Sequence, residues 1–329
     1  MARLPNTFYR YRGFSTNTLD SLCHDSLHFG HPGTFNDPLD CNPTIECDSN
    51  LDELRNLLSV LIRRRVKSEV RASLGQARLK GDGATAHAEK RALSEAQSEL
   101  ANIEYNATDP EYTVFESKAE GWLLTSQIQS ELRRYYECGV CCLSTTYASP
   151  LLWSHYGDQH RGLCIGYGLN RIPRPEPRRV VYGGDRSVRT SVLAKALVHE
   201  NSEAKAELDR DVLLRKARGW AYEKEWRLIG VQGNQDSPLL LKEVTFGLRC
   251  PMSVVHALTR ALAGRATPIR YHQMYEIDGR FVLRRKQVDL GELGASMPKT
   301  ARSAEEIFDN LDEDEPGNTH PNRPAAGAA

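Results

Sequence analysis

Tyr222-Glu223-Lys224-Glu225-Trp226-Arg227-Leu228-Ile229 is the stretch whose reading decides the fold. It predicts a strand running from Tyr222 to Val231, with Glu223 and Glu225 on one face and Arg227 in line with them. Two like carboxylates side by side repel, so the arrangement costs energy unless cations or a ligand compensate. The run therefore reads either as a salt-bridged surface strand or as a paired-carboxylate site.

Upstream of it lies Leu143-Ser144-Thr145-Thr146, closing a strand predicted from Gly139. Hydroxyls at a strand end can hold a ribose or orient a catalytic carboxylate; the plainer reading is helix capping. Ser149-Pro150 then supplies an N-cap followed by the residue favoured at N1, and Gly157 ends the short helix. Trp153 and Tyr156 lie three apart on that helix, as core aromatics or as a stacking platform for a flat ring. At the other end of the chain, Phe8-Tyr9-Arg10-Tyr11-Arg12 is a strand candidate whose period of two places Arg10 and Arg12 on one face. They read either as solvated edge arginines or as a guanidinium pair for phosphate or carboxylate oxygens.

Further elements fill in around these motifs. Asn17 to Asp25 predicts a short helix and Leu27 to Phe29 a short strand, before the turn-rich loop His31 to Pro38. From Leu51 to about Tyr136 the pattern is helical: Leu54, Leu57, Leu58, Leu61 and Ile62 recur at helical spacing, with a capping box at Asn50 and Glu53. Gly162 to Tyr167 predicts a strand, Thr190 to Gly219 one long helix, and Val244 to Phe246, Ile269 to Ile277 and Phe281 to Leu283 further strands. The expected organisation is an α+β core from residues 1–50 and 136–300, a helical insertion at 51–135, and an acidic, disordered tail at 301–329.

The 329 residues carry 43 basic and 43 acidic side chains, but neutrality is a sum over unequal parts. Eight basic residues against Glu69 alone fall between Arg55 and Lys80, and seven carboxylates fall between Glu305 and Glu315. The basic run marks Arg63, Arg64 and Arg65 as a candidate nucleic-acid contact, or else as a solvated helix face. The acidic tail would then compete for that surface in cis, and an antitoxin or other regulatory partner is a further expectation.

No apolar run reaches the roughly 18 residues of a membrane span, and the N-terminal residues lack the apolar segment of a secretory signal. Eight scattered cysteines then read as reduced thiols, and a cytoplasmic location is expected. GxGxxG, GxxxxGK[ST], HExxH and GxSxG are all missing, which makes dinucleotide folds of the Rossmann type, P-loop NTPases, zincins and serine hydrolases unlikely. Cys138, Cys141 and Cys142 read as strand-buried thiols and His24, His28 and His31 lack regular partners, so no metal is expected.

FYRYRGFSTNTLDSL, the FNDPLDC loop, LSTTYASPLLWSHYGDQHRGLCIGY and WAYEKEWRLIG together resemble a bacterial family of uncharacterised proteins, over residues 7–47 and 138–250. The motif order is also similar, more remotely, to ADP-ribosyltransferases of toxin type with Arg, Ser-Thr-Ser and Glu-x-Glu signatures. That resemblance implies a split antiparallel sheet and NAD as substrate. Arg10 would match the basic strand residue, Ser144-Thr145-Thr146 the hydroxyl motif, Glu225 the catalytic glutamate and Glu223 its companion. By the same analogy Arg10, with Tyr11 and Arg12 on its strand, would hold the NAD pyrophosphate. Trp153 or Tyr156 would stack on a ring, and Glu225 would contact the nicotinamide ribose. Here the third hydroxyl is Thr146 instead of serine. The implied activity is transfer of ADP-ribose from NAD to a nucleic acid or a protein, as in toxins or phage defence. Two other readings stay open: a metal-independent nuclease using His155, His160 and Arg161 with Glu225, and a non-catalytic nucleic-acid-binding module in which the glutamates pair with Arg10 and Arg12.

Overall fold

The computed structural model describes residues 4–109 and 119–300. The proposed acidic tail lies outside the described residues.

The chain begins with β1 (Phe8–Arg12), α1 (Thr16–Cys23), β2 (Ser26–Phe29) and β3 (Thr44–Glu46). Three helices follow, α2 (Leu51–Gln76), α3 (Asp82–Asn106) and α4 (Ala119–Tyr135). The Asn50 and Glu53 capping box forms as the sequence predicts, each side chain bonded to the other's backbone N–H. Leu54, Leu57, Leu58, Leu61 and Ile62 of α2 are all buried. They pack with Ala92 and Ala96 of α3 and with Leu124, Ile128 and Leu132 of α4. The same apolar cluster takes in Leu193, Leu197 and Leu208 from much later in the chain, so the inserted helices rest on the body of the protein.

After β4 (Gly139–Ser144), α5 (Pro150–His155) and β5 (Leu163–Gly168) come three short strands, β6 (Arg178–Arg179), β7 (Val181–Tyr182) and β8 (Ser187–Arg189). The single helix expected over Thr190 to Gly219 is instead two, α6 (Thr190–Leu197) and α7 (Ser202–Leu213), followed by β9 (Arg215–Lys216). The break has a local cause: Glu200 adopts a left-handed conformation and the Asn201 side chain caps α7 by accepting from the Ala204 N–H. The chain ends with β10 (Glu225–Gly230), β11 (Gly233–Asp236), β12 (Leu240–Phe246), α8 (Met252–Ala261), β13 (Arg270–Ile277), β14 (Arg280–Gln287) and α9 (Leu290–Ser296).

The architecture is α+β around an eight-stranded sheet of order β14-β13-β12-β5-β1-β4-β10-β6. It is mixed where an antiparallel sheet was expected, because β12 and β13 run parallel. Helix α8 makes the crossover that a parallel pair requires. The sheet is also nearly parted at its centre. Strands β1 and β4 share one register pair, Tyr9 with Ser144, whereas β1 and β5 share five. Further along β4, Val140 exchanges both backbone hydrogen bonds with Gly30, at 3.0 and 2.9 Å, where β1 would otherwise continue the ladder. The end of β2 thus wedges the two strands apart.

Candidate active site

A cavity of about 360 Å³ opens where β1 and β4 separate, within the size range of small-molecule sites. Arg10 and Arg12 line it from β1, Cys142 and Ser144 from β4, and Glu225 from β10, with Glu223 and Lys216 beside it. Ser144 lies opposite Tyr9 on one side and Glu225 on the other, so these three side chains share a face of the sheet. Strand alternation sends Arg10 and Arg12 to the opposite face. Because the strands have parted, both faces reach one cavity.

The two glutamates meet by a different route from the expected one. Strand β10 begins at Glu225, while Glu223 ends a 3-10 turn spanning Arg218–Glu223. Between them Lys224 takes a left-handed conformation with φ 48°. That kink, and not strand alternation, brings the carboxylates together. Lys216 Nζ lies 2.6 Å from Glu223 Oε2 and 3.0 Å from Glu225 Oε2, with Asp40 Oδ2 at 3.3 Å. Arg227, wholly buried, donates from Nε to Glu225 Oε1 at 2.8 Å and from its second terminal nitrogen to Asp40 Oδ2 at 2.6 Å. Three carboxylates thus face two cations, and the repulsion expected in the sequence is compensated from within.

The two carboxylates differ electrostatically. Burial works to raise the Glu225 pKa, but Arg227 and then Lys216 overcome it and hold the group down at about 2. In Glu223 burial prevails over Lys216, with the Glu225 charge adding to it, and the pKa is raised. Burial lowers Lys216, but Glu225, Glu223 and Asp40 outweigh it and the ammonium is held firmly protonated. Glu225 is therefore a fixed anion, and Glu223 is the carboxyl suited to exchanging a proton.

Tyr156 is the cavity aromatic that bonds the glutamate pair. Its hydroxyl donates to Glu223 Oε1 at 2.8 Å and accepts from Asn36 Nδ2 at 3.0 Å. Trp153 is a correction: it is fully buried, donates its indole N–H to the Tyr147 carbonyl and packs edge-on to Tyr11, so no ligand ring can stack on it. Tyr11 itself lines the cavity but its hydroxyl is spent on the Thr146 carbonyl at 2.8 Å. Ser144 donates at 2.6 Å to the backbone carbonyl of Glu223, not to a carboxylate. Thr145 is outside the cavity lining.

On the β1 side, Arg10 donates to the His28 carbonyl at 3.0 Å, and among the described residues Arg12 has no hydrogen-bond or ion-pair partner. Burial, and then the like charge of Arg10, lower the Arg12 pKa to about 10, which still leaves it protonated at neutral pH. The module in which Glu223 and Glu225 pair with Arg10 and Arg12 is thus not what forms: their cations are Lys216 and Arg227. The nuclease grouping does not assemble around Glu225 either. His155 is exposed against Trp220 and Tyr222, and His160 stacks at 6.1 Å on Trp153, neither of them lining the cavity.

The Arg63-Arg64-Arg65 run is likewise mostly committed elsewhere. Arg65 pairs at 2.9 Å with Glu131, a buried carboxylate of α4, and Arg64 donates to the Leu197 carbonyl at 2.7 Å and to Glu200. These bonds fasten the inserted helices, and a buried Glu131 needs its cation. Three free guanidiniums for a phosphate backbone are not present there.

Asp37, Asp40 and Lys216 escaped the sequence reading as site residues. Asp37 accepts from the Trp220 indole N–H at 2.7 Å and, through its other oxygen, from the Leu39 N–H. A signal existed for the aspartates, since Asp37 and Asp40 recur at short spacing in the FNDPLDC loop. Lys216 was hidden inside the over-long predicted helix. Among the described residues no group of three or more His, Cys, Asp or Glu is placed to hold a metal ion, and no helix is long and apolar enough to cross a membrane.

Residues 152–228 match the model of a family described as a protein of unknown function, DUF2971. The matched span carries Tyr156, Lys216, Glu223 and Glu225. No curated protein and no solved structure matches the chain.

Proposed function

We propose that the chain is an NAD-dependent ADP-ribosyltransferase of toxin or phage-defence type, transferring ADP-ribose to a nucleic acid or a protein. The observation that carries the reading is the parted sheet: Arg10 and Arg12, Ser144, and Glu223 with Glu225 come from separated stretches of sequence and border one cavity. The resemblance to ADP-ribosyltransferases likewise implies a split sheet, though an antiparallel one.

The chemistry suits the two walls. Arg12, with no partner among the described residues, and Arg10, bonded only to the His28 carbonyl, offer guanidinium N–H groups to pyrophosphate oxygens. Cleavage of the nicotinamide–ribose bond sends the bonding pair out with neutral nicotinamide and leaves an oxocarbenium-like ribose. An anion fixed in a dry site stabilises that positive charge. Glu225 is such an anion by virtue of Arg227 and Lys216. Glu223 then accepts the proton released when the acceptor attacks the ribose carbon, with Tyr156 and Lys216 holding its two oxygens.

Purified full chain incubated with NAD should release nicotinamide and incorporate label from ADP-ribose-labelled NAD into an acceptor. Glu225→Gln should abolish both while melting cooperatively. Absence of release and transfer by the wild type, together with an intact biological effect of Glu225→Gln, would reject the reading.

A further inference from the structure

The sheet ends in a hairpin unlike the rest of the molecule. Strands β13 and β14 turn through Asp278 and Gly279, with Gly279 in the left-handed region at φ 69°. Strand β14 is the last in the sheet order, so its outer edge has no neighbour among the described residues. Its sequence, Arg280-Phe281-Val282-Leu283-Arg284-Arg285-Lys286-Gln287, splits by alternation. Leu283 and Arg285 turn inward, Leu283 buried against the core and Arg285 paired with the buried Glu243 at 2.6 Å.

Arg280, Arg284 and Lys286 belong to the other face, and all three are exposed. None has a hydrogen-bond or ion-pair partner among the described residues. Their company is aromatic and apolar. Tyr275, 41% exposed, stands directly opposite Arg284 in the register, and Ile277 opposite Arg280. Phe281, near the turn, is wholly exposed. Of the acidic groups on the hairpin itself, Asp278 is in the turn, and Glu276 is opposite Leu283 and so on the inward face; Asp289, just after β14, caps α9. Arg65, Arg227 and Arg285 pair with buried carboxylates; Arg280, Arg284 and Lys286 instead stand unspent beside the exposed Tyr275 ring.

We infer that the outward face of the β13–β14 hairpin, through Arg280, Arg284, Lys286 and Tyr275, is a binding surface for single-stranded nucleic acid. Arg284 and Lys286, two residues apart, stand about 6.6 Å from each other along the strand, and Arg280 extends the charge towards the turn, four residues before Arg284 and past a register shift. The exposed Tyr275 ring, across from Arg284 on β13, offers a face on which an unpaired base stacks regardless of its identity. Charge complementarity and the exposed ring select this partner over an acidic protein, which has phosphate-like charge but no bases. The surface is distinct from the cavity and independent of NAD turnover, since binding is read with no NAD present.

The test is fluorescence anisotropy of the full chain with a fluorescein-labelled 20-mer of mixed sequence, as single-stranded DNA, as single-stranded RNA and as duplex, over a salt series. Single strands should bind more tightly than the duplex. The Arg280→Ser, Arg284→Ser, Lys286→Ser triple variant should lose at least tenfold in affinity, and its log–log salt slope should shrink by about 2, three contacts at roughly 0.7 each. Tyr275→Ser should weaken binding severalfold with the slope unchanged, and Tyr275→Phe should bind as the wild type does. Lys90→Ser, an exposed cation on α3, serves as the charge control and should change nothing, and all variants should melt as the wild type does. Lack of binding by the wild type, an unaltered triple variant, or equal affinity for duplex and single strand would each overturn the inference.

Discussion

Ser144 Oγ donates a 2.6 Å hydrogen bond to the backbone carbonyl of Glu223, tying the strand that ends the hydroxyl motif to the turn that presents the first glutamate. Both partners are buried, so the bond is not replaceable by water. Ser144→Ala strands a buried carbonyl and should cost about 1–3 kcal/mol in urea unfolding. If NAD cleavage proceeds as proposed, with Ser144 acting through Glu223, kcat for nicotinamide release should fall while KM for NAD stays within about twofold. A proportional rise in KM would instead assign the hydroxyl to substrate binding.

Lys224 occupies the left-handed region between the two glutamates, a conformation glycine adopts freely and β-branched residues resist. Lys224→Gly should therefore leave the thermal midpoint close to that of the wild type. Lys224→Val should cost about 1–2 kcal/mol and impair NAD turnover, because the kink that brings Glu223 beside Glu225 is what it opposes. Equal stability of the two variants would contradict the role given to the turn.

The same turn shows how far the sequence could be read. Strands β1 and β4, helix α5 and the Asn50 capping box lie within a residue or two of where local patterns put them, because alternation, capping and Pro150 act locally. The Glu223–Glu225 pair was recognised as a site for a reason that is only half right: repulsion does demand cations, but the geometry comes from a left-handed lysine that no propensity favours. Lys216 and Asp40 were illegible because what defines them is a long-range encounter, 176 residues apart in sequence, around a buried Arg227. The Arg63–Arg65 run misled in the opposite sense, since charge density along a helix says nothing about Glu131 waiting on another one.

The two glutamates should separate in pH. Glu225 has a folded pKa of about 2, below its ordinary 4.5. Its ion pairs therefore stabilise the fold fully above 4.5, and that contribution, on the order of 3 kcal/mol, is lost as pH falls from 4.5 towards 2. Glu223 is raised, so the folded state favours its protonated form, and its contribution runs the other way, lost as pH rises through the folded pKa. Acting as a base, Glu223 should give ADP-ribose transfer an acid limb shifted upward from that of an ordinary glutamate, and Glu223→Gln should flatten that limb. Chemical unfolding at a series of pH values and a pH–rate profile read the two effects independently.

Arg227 is the largest charged side chain fully enclosed among the described residues, bonded to Glu225, Asp40 and the Leu213 carbonyl. Arg227→Met removes the cation and leaves both carboxylates buried, so it should destabilise by about 3–5 kcal/mol. Combining it with Asp40→Asn and Glu225→Gln removes the uncompensated charges and should recover a large part of that loss. A triple variant no more stable than Arg227→Met would show that packing, not charge, is what Arg227 supplies.

Arg12 presents the reverse case, a charge the fold keeps at a cost. It is partly buried beside Arg10, its pKa is depressed by burial and by that neighbour, and no carboxylate among the described residues compensates it. Such a desolvated, unpaired guanidinium is a candidate anchor for an anionic ligand. In the absence of ligand, Arg12→Met keeps the aliphatic stem and deletes both the desolvated charge and the repulsion, so the thermal midpoint should rise. The same substitution should reduce affinity for ADP-ribose in calorimetry by about tenfold or more, the value of a charge-assisted hydrogen bond. Arg12→Lys should recover little of it, because an ammonium is a point donor and cannot offer the paired N–H geometry of a guanidinium. A stability loss in Arg12→Met combined with unchanged ADP-ribose binding would make Arg12 a structural residue and leave the β1 wall of the cavity without an anion to hold.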